Sequence, residues 1–419
     1  MNLLKLMSVL NMIIIIFSTF SLFKIFISFM AANIYDMKYI LFNGRNKRKI
    51  KNYNPSVTVI VPAYNEEDCI LRTLESIENN DYERKHIIVV DDGSTDSTAL
   101  IVQEFIDCHD NFELMMQKNG GKSTAINNAL FNKVSSDLIM VLDADSILSR
   151  SAIKKAVKWF INPKMMALAI NVKMLYLPTM VGLCQKYEFI NSYRGKCAEH
   201  VLKTMYIVGG IGSTFRTDLL KDIGGYDTDT PTEDIDLTLK LIKHYGNKDY
   251  IVGFANDSIV YTQPVQKFKS LVKQRYRWKY GRFVAFVKYK SLFFNTNPKY
   301  SKLLSFYTLP IAIFQEFAML LEPYIYIYIL FIVIYYKSLE LLFIMILYTV
   351  TIVFLSVMRS NTDIKHQLLI ILVSPLNFLL SYILTITEYV SLINSLIHSR
   401  SIFDYKKNHT NWNHVERMK

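Results

Sequence analysis

At 419 residues the chain is longer than one ordinary core needs, and 51% hydrophobic with 20% charged residues requires apolar and polar stretches to be segregated along it. The net charge of +12 does not point to nucleic acid: no recognised binding motif accompanies it, and the basic residues lie largely beside apolar segments, where anionic lipid accounts for them. Cys69, Cys108, Cys184 and Cys197 show no Cys-x-x-Cys pairing and no matching histidine spacing, which argues against a zinc site or a disulfide scaffold and fits a reducing compartment.

The first element is apolar. Met7 to Phe23 carries no charge, and after Lys24 the apolar character resumes through Ile25–Ile34, enough to cross about 30 Å of hydrocarbon. A secretory leader would show a shorter apolar core and a small-residue cleavage site, so residues 1–42 are expected to remain as an N-terminal transmembrane segment. Arg45, Lys47, Arg48, Lys49 and Lys51 follow, and the positive-inside rule places them, and the domain beyond, in the cytoplasm.

From about Pro55 to Tyr300 short β-branched runs alternate with longer amphipathic stretches, the pattern of an α/β domain with a largely parallel sheet, assigned to residues 43–300. Val57–Val61, His86–Val90 and Leu138–Leu142 are nearly all apolar, as strands covered on both faces should be. Each ends in a polar cluster: Pro62 to Glu67, Asp91-Asp92-Gly93-Ser94, and Asp143-Ala144-Asp145. Open parallel sheets bind ligands at those strand ends. Glu67–Asn79 and Ser97–Asp107 read as the intervening helices. Beyond Tyr300, Leu303–Tyr336, Leu341–Val357 and Leu368–Ile397 read as membrane helices within residues 301–399, ahead of a basic tail at 400–419. Three simple crossings would put Arg400, Lys406, Lys407, Arg417 and Lys419 outside, so an interruption at Pro310, Pro323 or Pro375 is expected to make the number even.

Several patterns carry chemistry, each with a plainer alternative. Asp143-Ala144-Asp145 offers two carboxylates on a turn to one divalent ion, Mg2+ or Mn2+, although turns after strands favour aspartate anyway. One of Asp91 and Asp92 can bind a ligand while the other caps a helix. Asn119-Gly120-Gly121-Lys122 lacks the Walker A spacing, which excludes a P-loop ATPase. Thr232-Glu233-Asp234 opens an amphipathic run, where the helix dipole favours an ionised carboxylate fit to act as a general base; simple capping is the alternative. Gln274-Arg275-Tyr276-Arg277-Trp278 combines cations for anionic oxygens with an indole face for a sugar ring, and also fits an interfacial amphipathic helix.

In this order the motifs resemble the processive family 2 glycosyltransferases, the poly-N-acetylglucosamine, cellulose, chitin and hyaluronan synthases. The resemblance runs from Val61-Pro62-Ala63-Tyr64-Asn65-Glu66 to Gln274-x-x-Arg277-Trp278 and implies a GT-A nucleotide-sugar-binding domain flanked by transmembrane helices. Carried over, Ala63, Tyr64, Glu66, Asp92, Lys122, Asp143 and Arg277 bind the donor, and Asp143 and Asp145 hold the metal. Asp234 is the base, while Gly210, Ser213, Glu233, Gln274 and Trp278 line the acceptor site. Thr410-Asn411-Trp412 with Arg417 is similar to the Thr-x-Trp element of these synthases.

The resemblance further implies an inverting reaction of a UDP-sugar that lengthens a β-linked polysaccharide of a biofilm or capsule and helps export it. The enzyme would be a multi-pass protein of the cell membrane with its catalytic domain cytoplasmic, in contact with the lipid bilayer, and it leaves room for a small accessory membrane subunit. Gly225-Tyr226-Asp227 before Thr232-Glu233-Asp234-Ile235 looks closest to the poly-β-1,6-N-acetylglucosamine branch. Hyaluronan, cellulose and other capsular synthases stay open. So does a non-processive transferase acting on a lipid-phosphate carrier, although it would not be expected to carry Gln-x-x-Arg-Trp. A membrane scaffold with a degenerate domain would have lost carboxylates that are intact here.

Overall fold

The computed structural model describes residues 3–175, 179–335, 337, 339–357 and 364–398, so the Thr410–Arg417 element lies outside the described residues. The chain opens with helix α1 (Leu3–Arg45), which continues past the expected end of the first span, and the short basic helix α2 (Lys47–Asn52). An α/β unit follows: β1 (Val57–Ala63), α3 (Ile70–Glu78), β2 (Lys85–Asp91), α4 (Thr98–Ile106), β3 (Phe112–Met116), α5 (Lys122–Asn132) and β4 (Leu138–Val141). Then come β5 (Ile147–Leu148), α6 (Ala152–Val157), β6 (Met165–Met174), α7 (Met180–Leu202), β7 (Ser213–Arg216), α8 (Thr217–Asp222), α9 (Glu233–Tyr245), β8 (Ile251–Thr262) and α10 (Phe268–Lys288). The apolar C-terminal part forms α11 (Leu309–Ala318), α12 (Glu322–Tyr335), α13 (Leu339–Val357) and α14 (Ile364–Ile397).

One eight-stranded sheet orders these strands β3-β2-β1-β4-β7-β6-β8-β5. Pairs β1–β2, β2–β3, β1–β4 and β6–β8 are parallel, whereas β7 runs antiparallel to both β4 and β6, and β5 antiparallel to β8. The sheet is therefore mixed, with its parallel half where the sequence pattern was clearest. Every residue of β1 and β4 is buried, as continuous apolar runs covered on both faces require. The chain leaves β1 for β2 on one side and returns to β4 on the other, so β1 and β4 flank a topological switch point, where such sheets open a crevice.

Helix α1 is joined to this unit at its C-terminal end. Tyr35 donates to Phe254 O at 2.7 Å and Tyr39 to Asp257 Oδ2 at 2.9 Å, while Tyr39 and Phe42 stack on Trp159. Toward its start the same helix exposes Ile15, Ile16, Phe23 and Phe26. Among the described residues one helix, Ile14–Arg45, is long and apolar enough to cross a membrane; Leu304–Ala318 with Pro323–Tyr335, bent by 54°, passes that test only as a single broken span. The break falls just before Pro323, one of the three expected positions, whereas Pro375 lies inside α14 without ending it. Ile346–Val357 and Tyr382–Ile397 are shorter apolar stretches.

Candidate active site

The crevice is built from strand ends stitched to one another. After β1, Asn65 takes a left-handed backbone (φ 54°), its N–H donates to Ser94 Oγ at 3.0 Å, and its side-chain oxygen accepts from Thr95 N at 2.8 Å. Glu66 N donates to Thr98 Oγ1 at 2.8 Å, which fixes the half-buried Tyr64 and Glu66 beside the loop after β2. Ala63 is fully buried at the end of β1, and its carbonyl accepts from Asp92 N at 2.9 Å.

Asp92 is 0% exposed and accepts from Gln117 Nε2 at 2.7 Å and from Gly120 N and Gly121 N at 2.8 Å. A carboxylate offers about four lone-pair sites. The aspartate expected to bind donor thus spends most of its capacity shaping the loop that presents Lys122. Gln117, which sequence reasoning passed over, is part of this cradle.

Lys122, at the start of α5, joins the two halves of the site. Its Nζ lies 2.7 Å from Asp143 Oδ1 and 2.8 Å from Glu233 Oε1. Burial opposes the ammonium, but Asp143 and Glu233 outweigh it and hold Lys122 well above the ordinary lysine range. Gly210 makes room for this bridge, since a Cβ there would sit 2.9 Å from Lys122 Nζ and 3.5 Å from Glu233 Oε1. Gly212 has φ +68°, and a Cβ would overlap Ile170, so the turn into Ser213 on β7 requires glycine.

Glu233 and Asp234 begin α9 and behave oppositely. Burial works to raise the Glu233 carboxyl, but Lys122 and Arg277 prevail and hold it below its usual range. Asp234 is pushed up to about 6, by burial first and then by the Glu233 charge, against the pull of Lys122 and of the Ile235 N–H, which donates to Oδ1 at 2.8 Å. The helix terminus therefore does not keep Asp234 low as its position suggested: a neighbouring negative charge in a poorly solvated site is the stronger influence. The result is a carboxyl raised toward neutrality.

Asp143 and Asp145 follow β4. Asp143 is engaged with Lys122, while Asp145 is 3% exposed and accepts from Ser146 Oγ at 3.2 Å. Burial pushes the Cys69 thiol up, and Glu66 and Asp145 add to that push, so both carboxylates approach the start of α3. Hard carboxylate oxygens suit Mg2+ or Mn2+. Among the described residues, the group of three or more His, Cys, Asp or Glu close enough to share an ion is Asp227, Asp229 and Asp236, which does not include Asp143 or Asp145.

Helix α10 closes the site. Arg277 is exposed and donates to Pro231 O at 3.4 Å, and its charge acts on both Glu233 and Asp234. Arg275 lies buried beneath Trp278, its guanidinium 4.4 Å from the ring centroid and clamped by both Glu188 oxygens at 2.6 Å. The half-buried Trp278 thus rests on a fixed cationic platform. Gln274 Oε1 is buried with no hydrogen-bond partner among the described residues, an acceptor held in reserve beside the Trp278 turn. Gly281 packs on the residue that precedes α9 so closely that a Cβ would overlap Thr232 Oγ1. A lone glycine inside a helical run was the one available signal for that contact.

Residues 55–281, more than half of the chain, match the model of the glycosyltransferase-like family 2. The chain belongs to that family. Its relatives include poly-β-1,6-N-acetyl-D-glucosamine synthases of Staphylococcus epidermidis, 30% identical, and of Staphylococcus aureus strain MSSA476, 29% identical. Each match runs over 227 residues, 54% of this chain and 54% of the relative, so the chain spans about half the length of the curated relatives it matches. Among solved structures, a Pyrobaculum calidifontis mannosyltransferase in complex with GDP-Man and Mn2+ aligns with a TM-score of 0.47 at 26% identity, over 62% of this chain and 74% of that one. The matched region of this family 2 chain ends within α10, so the same segment holds the Asp143, Asp234 and Arg277 clusters described above.

Proposed function

We propose that the chain is a processive, inverting glycosyltransferase that polymerises a UDP-sugar, most simply UDP-N-acetylglucosamine, into a β-linked extracellular polysaccharide and helps export it. The carrying observation is Asp234, a carboxylate pushed up to about 6 on α9, joined by Arg277 and Gly281 to the helix that presents Gln274 and Trp278. In this reading Asp234 takes the proton from the acceptor hydroxyl, which attacks the anomeric carbon as the bond to UDP breaks. Trp278 and Gln274 hold the acceptor sugar, with Gly210 and Ser213 lining its place. Ala63, Tyr64, Glu66 and Asp92 surround the nucleotide, and Lys122 and Arg277 neutralise the departing diphosphate. Asp143 and Asp145 would hold Mg2+ or Mn2+, which supplies further charge neutralisation when bound.

The donor assignment is supported by the poly-β-1,6-N-acetyl-D-glucosamine synthases among the Staphylococcus relatives and by the Gly225-Tyr226-Asp227 approach to Glu233. For location we propose a multi-pass protein of the cell membrane with residues 43–300 cytoplasmic, spans at 1–42 and within 301–399, and a cytoplasmic tail at 400–419. The exposed apolar face of α1 and the basic residues that follow it support this reading. The growing polysaccharide, the bilayer and a small accessory membrane subunit are the partners it admits.

The deciding experiment supplies membrane vesicles in turn with UDP-N-acetylglucosamine, UDP-glucose and UDP-glucuronate plus Mg2+ or Mn2+, and follows UDP release and product length. Long chains from UDP-N-acetylglucosamine alone are expected. Single-sugar lipid products would replace this reading with a non-processive transferase.

A further inference from the structure

The loop that leads into Glu233 and Asp234 is held by a lysine from another element. Lys288, at the end of α10, places Nζ 2.6 Å from Asp227 Oδ2, 2.7 Å from Asp229 Oδ1 and 2.9 Å from Asp236 Oδ1. Asp227 and Asp229 belong to the loop, whereas Asp236 lies on α9 two residues after Asp234. These three carboxylates are close enough together to hold a metal ion, but the cation among them is the Lys288 ammonium.

The surroundings reinforce the tie. Lys240 Nζ closes on Asp227 Oδ1 at 2.6 Å and on Gly225 O at 2.9 Å, and Tyr289 OH donates to Asp236 Oδ2 at 3.2 Å. The Lys288 side chain is 12% exposed and that of Asp236 1%, so solvent screens this cluster far less than a surface ion pair. Burial opposes the Lys288 ammonium, yet Asp236, Asp227 and Asp229 together hold it well above the ordinary lysine range.

Residues 277, 281 and 288 are separated by four and seven positions, which puts them on one face of α10. All three meet the same stretch of chain: Arg277 at Pro231, Gly281 at Thr232, and Lys288 at Asp227, Asp229 and Asp236. Gln274 and Trp278 ride on that helix. The separation between Asp234 and these side chains therefore depends on how firmly the loop is pinned.

We propose that Lys288 is a positioning residue that locks α9 and its leading loop to α10, and so sets the distance between Asp234 and the acceptor-binding side chains Gln274 and Trp278. This rests on the reading of Asp234 as base and of α10 as acceptor helix. Lys288 itself touches no substrate.

The test uses the full chain in lipid nanodiscs and compares wild type with Lys288→Met, Lys288→Arg, and Lys288→Met combined with Asp229→Asn, which reduces the charge left behind. Lys288→Met should lower kcat at least tenfold while KM for UDP-N-acetylglucosamine and Kd for UDP stay within twofold. Amide hydrogen exchange should quicken in residues 227–236 and not in β1 or β4, and Lys288→Arg should recover at least half of kcat. Unchanged kcat with unchanged exchange would overturn the proposal. So would a parallel loss of melting temperature, UDP binding and kcat in both methionine variants, which marks a general packing role. A wild-type chain that turns over no UDP-sugar would instead remove the functional reading, while the exchange and UDP-binding measurements still decide whether Lys288 pins the loop.

Discussion

At the scale of single residues, Glu233 and Asp234 divide one charge between them. Lys122 and Arg277 hold Glu233 below its usual range, and its charge then adds to burial in pushing Asp234 up to about 6. A base must be deprotonated to act, so kcat should be level above neutrality and fall as pH drops through about 6. In Glu233→Gln the neighbouring charge is gone and the Asp234 carboxyl loses one of the influences raising it; the acid limb should move to lower pH, read from kcat profiles of both enzymes. Asp234→Asn keeps the shape but removes the proton acceptor. Polymer formation should fall by about 10²–10⁴-fold, with UDP affinity retained, and near-normal synthesis would take Asp234 out of the base role. The carboxylates stood out in the sequence as Asp-x-Asp and Thr-Glu-Asp, each with a plainer reading as turn or cap until the order of motifs suggested the resemblance. The value near 6 was not legible there, because it depends on how deeply the fold buries Asp234 and on the Glu233 charge prevailing over the pull of Lys122.

At the scale of elements, α10 connects the site to the apolar helices as well as to the base. Gly281→Ala places a methyl against Thr232. Overpacking of this kind costs about 1–3 kcal/mol, so the melting temperature and kcat should both fall, with UDP affinity less affected. On α10, Lys279 Nζ meets Glu316 Oε2 at 2.5 Å and Glu388 Oε2 at 2.7 Å, while Arg282 meets Glu316 Oε1 at 2.6 Å, which ties the helix to α11 and α14. Lys279 and Glu316 are 3% and 5% exposed, and Lys279→Met removes one cation from Glu316 and Glu388 while Arg282 and Arg275 stay. Lys279→Met should therefore lower the unfolding temperature in detergent, and adding Glu316→Leu should lower it further by taking the partner from Arg282. The strands β1, β2 and β4 were plain in the sequence because both their faces are buried and their apolar runs are continuous. The antiparallel β7 and the two-residue β5 left no such run, since their places are set by partners far along the chain. Arg275 stood within the Gln-x-x-Arg-Trp stretch, yet its stacking under Trp278 depends on Glu188, which no local pattern announces.

At the scale of the whole molecule, α1 has two environments along one axis. Its early turns are exposed and apolar, whereas Tyr35, Tyr39 and Phe42 belong to the α/β unit. Removing residues 1–24 should leave the melting temperature of the α/β unit nearly intact. Removing 1–45 should destabilise it by uncovering Trp159 and His200, a contrast that thermal unfolding can read. Composition announced the apolar end, but not that the helix runs on into the sheet, because Tyr35 and Tyr39 fit a membrane boundary equally well. That unbroken run makes α1 a measuring rod. The twelve steps from Phe23 to Tyr35 rise about 18 Å, so with the apolar end in a bilayer the candidate crevice stands at a set altitude above the lipid. Inserting a single alanine between these points would turn the apolar stretch about 100° relative to Tyr35 while lengthening the rod by only about 1.5 Å, and would set that stretch against the ties that α10 makes to α11 and α14.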